Sequence, residues 1–242
     1  MNSIPVIAID GPSASGKGTV AQRVAEALGF AYLDSGAIYR ATALAARRAG
    51  LASEHASDAA ADALAAVAGA IPLRFAAGRV WLGDADVTDA IRSEECGANA
   101  SRIAAIPAVR TALLQRQRDF RAAPGLVADG RDMASVVFPG AALKVFLTAS
   151  VHERASRRVA QLAGIPLNDA KGLIENEKDA KLCVLFDSVL ADLQERDRRD
   201  AGRVAAPLKQ VDGARFLDTT ALSVNQAVAH VLGWYQETVA AT

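Results

Sequence analysis

The chain has 242 residues, of which 51% are hydrophobic and 22% are charged, and its 27 basic residues balance 27 acidic ones. This size and composition predict one compact globular unit with room for subdomains. The neutral charge argues against a protein that coats nucleic acid, and no apolar run approaches the roughly 20 residues that a membrane span needs.

The first predicted element is a strand that leads into a glycine-bearing loop. Val6–Ile9 is continuously apolar, and Pro5 stands at its start, where a missing N–H is tolerable. Asp10 ends the apolar run and no basic segment precedes it, so we expect no secretory signal. The loop and the start of the next helix read GPSASGKGT.

That loop has the residues of a phosphate-binding site. Its glycines let the backbone turn tightly, and the loop N–H groups converge on an anion together with the helix N-terminus. Lys17 adds a full positive charge for the terminal phosphates. Gly18 follows the lysine and the hydroxyl comes at Thr19, a form typical of kinases that act on nucleotides, and this favours a phosphate site over a ligand-free turn. The predicted contacts to ATP are Gly11, Pro12, Ser13, Ala14, Ser15, Gly16, Lys17, Gly18 and Thr19.

Short apolar runs and helical patterns alternate along the rest of the chain. Besides Val6–Ile9, strands are predicted at Leu126–Ala128, Leu143–Leu147 and Phe216–Leu217. Each run is continuous rather than alternating, which is typical of a parallel sheet covered by helices on both faces. Helices are predicted at Lys17–Leu28, Ile38–Ala49, Ala108–Arg121, Val151–Leu162 and Val224–Tyr235. The pattern predicts an α/β fold.

Two segments depart from this alternation. Ile71–Val87 contains short strand-like runs separated by glycine turns, which predict a small antiparallel insert. Asn168–Arg203 is charged and predicted to be helical, and the Ala-rich part of Ser53–Ala70 is predicted to be helical as well. An apolar stripe in the first of these favours packing on the protein's own core over a partner interface. The stripe consists of Leu182, Leu185, Phe186, Val189, Leu190 and Leu193.

The two cysteines, Cys96 and Cys183, are far apart in the sequence, and no Cys-x-x-Cys pair occurs. This pattern predicts two reduced, buried thiols rather than a disulfide, a metal site or a redox pair. It is also the cysteine usage of a cytoplasmic protein, which is the location that we predict.

Asp129 is a candidate magnesium ligand. The predicted strand Leu126–Ala128 ends in Asp129-Gly130-Arg131-Asp132. A carboxylate at the carboxyl end of a strand beside a phosphate loop can hold Mg²⁺ directly or through water. A purely structural aspartate that caps the loop is the alternative.

Arginines recur where loops are expected to gather. Arg196, Arg199 and Arg203 have a spacing that places them on one helix face. A solvated helix with internal ion pairs would explain that spacing too, since Arg196 and Asp200 are i,i+4 partners. Phosphoryl transfer needs many cations around the transferred group, and closing arginines would also exclude water. Further candidates are Arg40, Arg110, Arg131, Arg154, Arg157 and Arg158.

These blocks together make the chain resemble the bacterial cytidylate kinases. The matching blocks, in order, are GPSASGKGT, LDSGAIYR, ANASRIAAIPAVR, ADGRDMASVVFP and ERDRRDAGRVAAPL. With the intervening length they cover nearly the whole chain, and DSGAIYR combined with GRDM is more discriminating than the phosphate loop. The resemblance implies a kinase that uses ATP and Mg²⁺ to phosphorylate CMP or dCMP.

The resemblance also implies residue roles at the matching positions. Catalysis is assigned to Lys17, Arg131, Arg196, Arg199 and Arg203. Acceptor binding is assigned to Ser35, Arg40, Ser101, Arg110, Arg131, Asp132, Asp200 and Arg203. Within that set Ser101, Arg110 and Asp132 would read cytosine, and Asp200 would contact the sugar. Apart from the resemblance, we expect Asp129 and Thr19 to hold Mg²⁺ and Arg157 to stack on adenine.

The same resemblance implies how the chain is organised. Residues 1–242 would form one P-loop kinase domain, with an acceptor-binding insert at 63–104 and a helical lid at 165–206. We expect a monomer with small-molecule substrates and with neither a nucleic-acid nor a membrane partner. Other readings are a kinase for UMP, AMP or dTMP, a regulatory GTPase, which is weakened by the absence of an Asn-Lys-x-Asp motif, and a nucleic-acid-binding protein.

Overall fold

Strands and helices alternate along the chain in the computed structural model, which describes residues 4–51, 58–76 and 78–240. The strands are β1 (Val6–Asp10), β2 (Ala31–Asp34), β3 (Leu73–Ala76), β4 (Arg79–Leu82), β5 (Ala85–Asp86), β6 (Leu126–Gly130), β7 (Leu143–Thr148) and β8 (Arg215–Asp218). The helices are α1 (Lys17–Leu28), α2 (Ser35–Arg48), α3 (Asp58–Ala70), α4 (Glu94–Ile103), α5 (Pro107–Arg118), α6 (Val151–Ala163), α7 (Leu167–Glu175), α8 (Ala180–Ala201) and α9 (Val224–Ala240). A 3₁₀ turn occupies Ala90–Arg92 and a π-helical turn occupies Met133–Val137.

Five strands form a parallel sheet in the order β2-β6-β1-β7-β8. Because every pair in it is parallel, the carboxyl ends of the strands meet at one edge. The register brings three carboxylates to that edge, since Asp34 lies opposite Asp129 and Asp10 lies opposite Gly130. This edge is where the phosphate loop and the strand-end motif come together.

The central strand β1 shows why its sequence is apolar throughout. Val6 and Ala8 face one layer of helices, which includes α2, α3 and α5, while Ile7 and Ile9 face the other layer, formed by α1 and α9. All four side chains are buried, so a strand covered on both faces has no polar side. The predicted α/β class with helices on both faces is confirmed.

A separate antiparallel sheet, β3-β4-β5, packs against α2 and confirms the predicted insert. Val80 of β4 and Val87, which follows β5, are buried in one cluster with Ala41 and Leu44 of α2. Helices α3 and α4 flank the sheet along the chain. The predicted boundary at residue 63 falls inside α3, and the insert's limits and its role stay predictions.

Helices α6, α7 and α8 form a third packing unit. Phe186, Val189 and Leu193 of α8 are buried against Ala155 and Val159 of α6. The rest of the apolar stripe packs around them half-buried, so its interpretation as core packing is confirmed. The stretch from residue 168 to 203, predicted to be mostly helical, is helical but is divided into α7 and α8. It breaks between α7 and α8 because the Asp179 carboxylate accepts hydrogen bonds from Lys181 N and Leu182 N at 2.9 and 3.1 Å and starts a new helix.

The strand β2 and the helix α4 were not predicted from the sequence. Strand β2 has no β-branched residue, and α4 (EECGANASRI) has few large apolar residues and a central glycine. Helix α2 begins at Ser35, three residues before its predicted start at Ile38, because Asp34 Oδ1 accepts a hydrogen bond from Ala37 N at 2.8 Å. Of the predicted helix Ser53–Ala70, residues 53–57 lie outside the described part of the chain.

Both cysteines are free thiols, as predicted, but only Cys96 is buried and Cys183 is half-buried. Cys183 lies on α8, and the part of that helix around it is largely exposed, which is why the prediction of two buried thiols is wrong for this residue. Within the described residues, no helix combines the length and the apolar character that crossing a membrane requires.

Candidate active site

The loop from Gly11 to Gly16 joins β1 to α1 at the carboxyl edge of the sheet. A Cβ at Gly11 would lie 1.9 Å from the Leu147 carbonyl oxygen, so only glycine fits there. Gly16 has a φ of 90° and precedes α1 without a capping side chain. The first-turn N–H groups of α1 are therefore available to an anion.

One buried atom of this loop fits a bound phosphate. Ser15 Oγ is buried and has no hydrogen-bond partner among the described residues. Buried hydroxyl groups are nearly always paired, and a phosphate oxygen would supply the missing partner. The loop thus has both the shape and the unused donors that a polyphosphate requires.

Lys17 and Asp129 face each other across the start of α1. Lys17 Nζ donates a hydrogen bond to the Pro12 carbonyl at 3.2 Å. Burial and the charge of Arg131 lower the pKa of Lys17, whereas burial and the neighbouring Asp34 raise the pKa of Asp129. A polyphosphate would favour the charged lysine, because an adjacent negative charge stabilises an ammonium.

Close packing explains why a glycine, Gly18, follows Lys17. A Cβ at Gly18 would lie 3.1 Å from Asp129 Oδ2 and 3.5 Å from the Tyr32 hydroxyl. The serine or threonine usual at this position would crowd the strand-end carboxylate. The hydroxyl instead stands at Thr19, which is exposed and lines the same cleft as Asp129, and the role of these two residues as metal ligands stays a prediction.

Asp200, near the end of α8, is linked to the phosphate loop through Arg131. It accepts a hydrogen bond from Arg131 Nε at 2.9 Å and one from Arg203, while Arg131 Nη2 donates to Ser13 Oγ at 2.7 Å. Burial opposes ionisation of Asp200, but Arg131 and Arg203 hold its pKa below the usual value. In this arrangement Asp200 orients two arginines, and the sugar contact predicted for it stays a prediction.

Arg110 and Asp132 form a buried ion pair in the same cleft. Arg110 Nη1 also donates to the Ala104 carbonyl at 3.1 Å, and its guanidinium lies 5.9 Å from the centre of the Tyr39 ring. Burial raises the pKa of Asp132, and the charges of Arg110 and Arg203 oppose that rise. A carboxylate acceptor and a guanidinium donor therefore stand side by side.

Three arginines converge between the phosphate loop and this ion pair. Burial and the charges of Arg40 and Arg131 lower the pKa of Arg196 to about 10. Like charges gather in this way where an anion binds between them. Ser35 is buried at the start of α2, and a Cβ at Gly130, the residue before Arg131, would lie 2.6 Å from its Oγ.

A single cleft of about 1050 Å³ connects these groups. It is lined by all of the predicted site residues except Gly11, Pro12 and Arg199. Gly11 and Pro12 are buried behind the loop, and Arg199 Nη1 donates a hydrogen bond to Ser101 Oγ at 2.9 Å. The cleft has room for two ligands placed end to end.

Arg157, the predicted adenine contact, ties the phosphate loop to the loop after β8. Its guanidinium donates to the Ser15 carbonyl at 3.0 Å and to the Thr219 carbonyl at 2.6 Å, and it pairs with Glu153. These bonds use its donors, whereas stacking on a base would use its flat face. The stacking role stays a prediction.

The sequence pattern does not mark Asp10 or Glu94 as site residues and marks Arg154 only as a further candidate, but all three make contacts around the cleft. Asp10 accepts hydrogen bonds from Met133 N and Ala134 N, each at 2.8 Å, and so fixes the π-helical turn. Arg154 donates to the Ser13 carbonyl at 3.1 Å and pairs with an aspartate of α8. Glu94 faces two arginines from different helices. The position of Asp10, at a strand end just before the loop, could have marked it as a site residue. The partners of Glu94 are too distant from it in the sequence for a sequence pattern to indicate the contact.

Few protein classes place a phosphate loop at the carboxyl edge of a parallel sheet and also place guanidinium groups, here those of Arg196 and Arg203, along the same cleft. This combination defines a P-loop nucleotide kinase. The chain belongs to the cytidylate kinase family, whose model matches residues 7–237.

Known relatives of the family resemble the chain along almost all of its length. A cytidylate kinase of Chromobacterium violaceum is 54% identical over 97% of this chain and 97% of its own length. A cytidylate kinase of Polynucleobacter asymbioticus is 52% identical over 99% of this chain and 100% of its own. A cytidylate kinase of Neisseria meningitidis serogroup B is 49% identical over 98% of this chain and 100% of its own.

Proposed function

We infer that the protein transfers the γ-phosphate of ATP to CMP or dCMP, giving ADP and CDP or dCDP. The observation that carries this inference is the buried Arg110–Asp132 pair, which lies in one cleft with the phosphate loop. Membership of the cytidylate kinase family supports the same reaction.

The Arg110–Asp132 pair complements the edge of cytosine. Cytosine offers an amino donor at N4 and acceptors at N3 and O2, which match a carboxylate and a guanidinium. Uracil reverses N3 and the exocyclic group at C4, so O4 would face the carboxylate. Leaving buried polar groups unpaired in this way disfavours UMP strongly. Ser101 is proposed to complete the reading of the base, and Asp200 to contact the sugar.

The reaction needs no general base on the protein. The second phosphate pKa of a nucleoside monophosphate is about 6, so the acceptor oxygen is already a nucleophile at neutral pH. We propose that Arg40, Arg131 and Ser35 hold that phosphate in line with the donor, while Lys17 stabilises the charge that develops on the transferred group. Arg196, Arg199 and Arg203 of the lid region would neutralise further charge and exclude water.

Mg²⁺ fits the corner formed by Asp129 and Thr19. Asp129 is buried at the strand end against Gly18, and the oxygen donors there are of the type that Mg²⁺ prefers. We propose that these two residues hold the ion, directly or through water. The chemistry that the ion would supply there is neutralisation of phosphate charge during the transfer.

We also propose that residues 63–104 form the acceptor-binding region and that residues 165–206 form the lid of a single, monomeric kinase domain. Phe75, Val80 and Ser101 from the first region line the cleft, as do Leu193 and Arg196 from the second. Both regions therefore line the cleft in which we propose that the two nucleotides bind.

A coupled assay with ATP and each of CMP, dCMP, UMP, AMP and dTMP tests the function. We expect rapid turnover with CMP and dCMP and a kcat/KM for UMP lower by about 10⁴-fold. Faster turnover of any other monophosphate, or nucleotide binding without turnover of any of them, would contradict the proposal.

Replacing Asp132 tests the base-reading pair directly. Asp132→Asn keeps the shape of the side chain but lets an amide N–H face the base, so we expect the CMP:UMP ratio of kcat/KM to fall by about 10- to 100-fold. Asp192→Asn is the matched control, since Asp192 lines the same cleft but is exposed on α8. An Asp132→Asn enzyme that keeps its CMP preference would show that another group reads the base.

A further inference from the structure

Gly97 lies in the middle of α4, where a glycine disfavours the helix. No unusual backbone angle requires it, because its φ is not among the positive values. A Cβ at this position would lie 2.7 Å from Nη2 of Arg196 and 3.4 Å from its Cζ. The missing side chain thus leaves the space that the guanidinium of Arg196 occupies.

Glu94, one turn before Gly97, supplies the charge for the same guanidinium. Its Oε2 lies 3.8 Å from Arg196 Nη1, and its Oε1 accepts a hydrogen bond from Arg158 of α6. Arg158 also donates to the Arg92 carbonyl at 3.2 Å. The carboxylate is therefore held from a second helix while it faces Arg196.

These contacts connect α8 with α4. Arg196 comes from the lid helix α8, and its side chain is only 15% exposed. It crosses to the insert helix α4, and its charge adds to those of Arg40 and Arg131 in the cleft. Without a fixed partner, a long arginine side chain among like charges would swing away from them.

We propose that Glu94 and Gly97 form a seat on α4 that holds Arg196 aimed at the phosphates. We call these two residues the Arg196 seat. They are positioning residues, since neither is argued to touch substrate, and they link the insert to the lid. This inference rests on the proposed function, because it assigns the arginine's task to the phosphoryl transfer of that reaction.

Gly97→Ala is the direct test, because the added methyl group meets the flexible end of an arginine rather than backbone. The helix should form at least as well with alanine, so we expect an unchanged or higher Tm. We expect kcat with ATP and CMP to fall at least tenfold, since the guanidinium is displaced, while KM for ATP changes less than twofold. Gly233→Ala is the matched control, because Gly233 lies inside α9 with open space around its Cβ position.

A double-mutant cycle separates positioning from a general effect on the fold. In an Arg196→Ala background the methyl group has nothing to displace, so Gly97→Ala should change kcat less than twofold there. An equal fall in both backgrounds would overturn the inference, and so would an unchanged kcat in the wild-type background. A drop in Tm that persists without Arg196 would show that the methyl group collides elsewhere, which would also overturn it.

Glu94→Gln provides an independent variant that keeps the shape of the side chain. Losing the negative charge should lower kcat at least threefold in the wild-type background and not in the Arg196→Ala background. An unchanged kcat in this variant would remove Glu94 from the seat. A wild-type enzyme that fails to phosphorylate CMP would refute the proposed function, whereas an active wild type that tolerates Gly97→Ala refutes only the Arg196 seat.

Discussion

Lys17 is placed by its backbone position and by the charges around it rather than by a strong ion pair. Its ammonium donates one hydrogen bond to the Pro12 carbonyl, and the carboxylates of Asp34 and Asp129 attract it while Arg131 repels it. A group held in this way is free to bind the phosphate charge as it develops. Its contribution should therefore appear mainly in the transition state.

Lys17→Ala should lower kcat by about 10²-fold or more, because an electrostatic stabiliser of the transferred group is lost. The affinity for CMP should change little, since the acceptor site is formed by other residues. Steady-state kinetics combined with calorimetric titration of CMP measures the two effects. Lys209→Ala is the control, because Lys209 is exposed. Equal losses in kcat and CMP affinity would argue against a role in the transition state.

Residues within one motif could be predicted from the sequence, and residues paired across the chain could not. Lys17 and Asp132 each lie in a short sequence motif, and the neighbouring residues of that motif are enough to indicate their role. Glu94 and Gly97 stand in a sequence with no such pattern, and their partners Arg158 and Arg196 are brought to them only by the fold. A glycine that leaves room for a distant side chain looks the same in a sequence as any helix-weakening glycine.

At the scale of elements, the carboxyl end of β1 is joined to the π-helical turn after β6 by Asp10. Its two carboxylate oxygens accept the N–H groups of Met133 and Ala134, which satisfies two donors of the turn. Burial is the main reason that the pKa of Asp10 rises from 3.8 to about 6, and the two hydrogen bonds oppose the rise. The contact between β1 and the π-helical turn therefore contains a carboxyl group whose charged form is disfavoured by burial in the folded protein. In the unfolded chain the same carboxyl group is exposed to water and its charged form is not disfavoured.

This shift predicts a pH dependence of stability that Asp10→Asn removes. The folded state binds the proton more tightly than the unfolded state, so stability falls as pH rises from 3.8 to about 6. The free energy of unfolding of the wild type, relative to Asp10→Asn, should fall by about 3 kcal/mol between pH 3.5 and pH 7. Urea unfolding of both proteins at several pH values measures the difference. Parallel stability curves for the two proteins would contradict the expectation.

The elements that the sequence did not predict are the ones stabilised by tertiary contacts. Strand β2 is short and forms because it pairs with β6, and helix α4 packs through Ala100 and Ile103 on the main core. The elements that carry their own pattern, such as β1 and α1, were predicted closely. Local propensity is a weak guide when burial against a neighbour supplies most of the stability.

At the scale of the whole molecule, the core, the phosphate loop and helix α8 meet at Arg154. This buried residue of α6 donates to the Ser13 carbonyl of the loop and to the Ala149 carbonyl at the end of β7. It also pairs through both terminal nitrogens with Asp197 of α8. One guanidinium thus ties the phosphate loop to α8 through a rigid, planar group.

Asp197→Ala should destabilise the protein, because it leaves the charge of Arg154 buried without its carboxylate. We expect a loss of about 2 kcal/mol, less than for a fully enclosed pair, since water can reach the side of Asp197, which is 30% exposed. Thermal and urea unfolding measure this loss. Glu195→Ala, on the same helix, is the control, since Glu195 pairs with Arg198 at the exposed surface and its removal should have no measurable effect.

The same variant should uncouple the donor site from the lid. In the wild type, ATP bound at the phosphate loop should slow hydrogen exchange of the α8 amides, because Arg154 connects the loop carbonyl of Ser13 to that helix. In Asp197→Ala the loop should still be protected by ATP, while the added protection of α8 should be lost. Protection of α8 that ATP induces equally in both proteins would show that the lid senses the donor by another route.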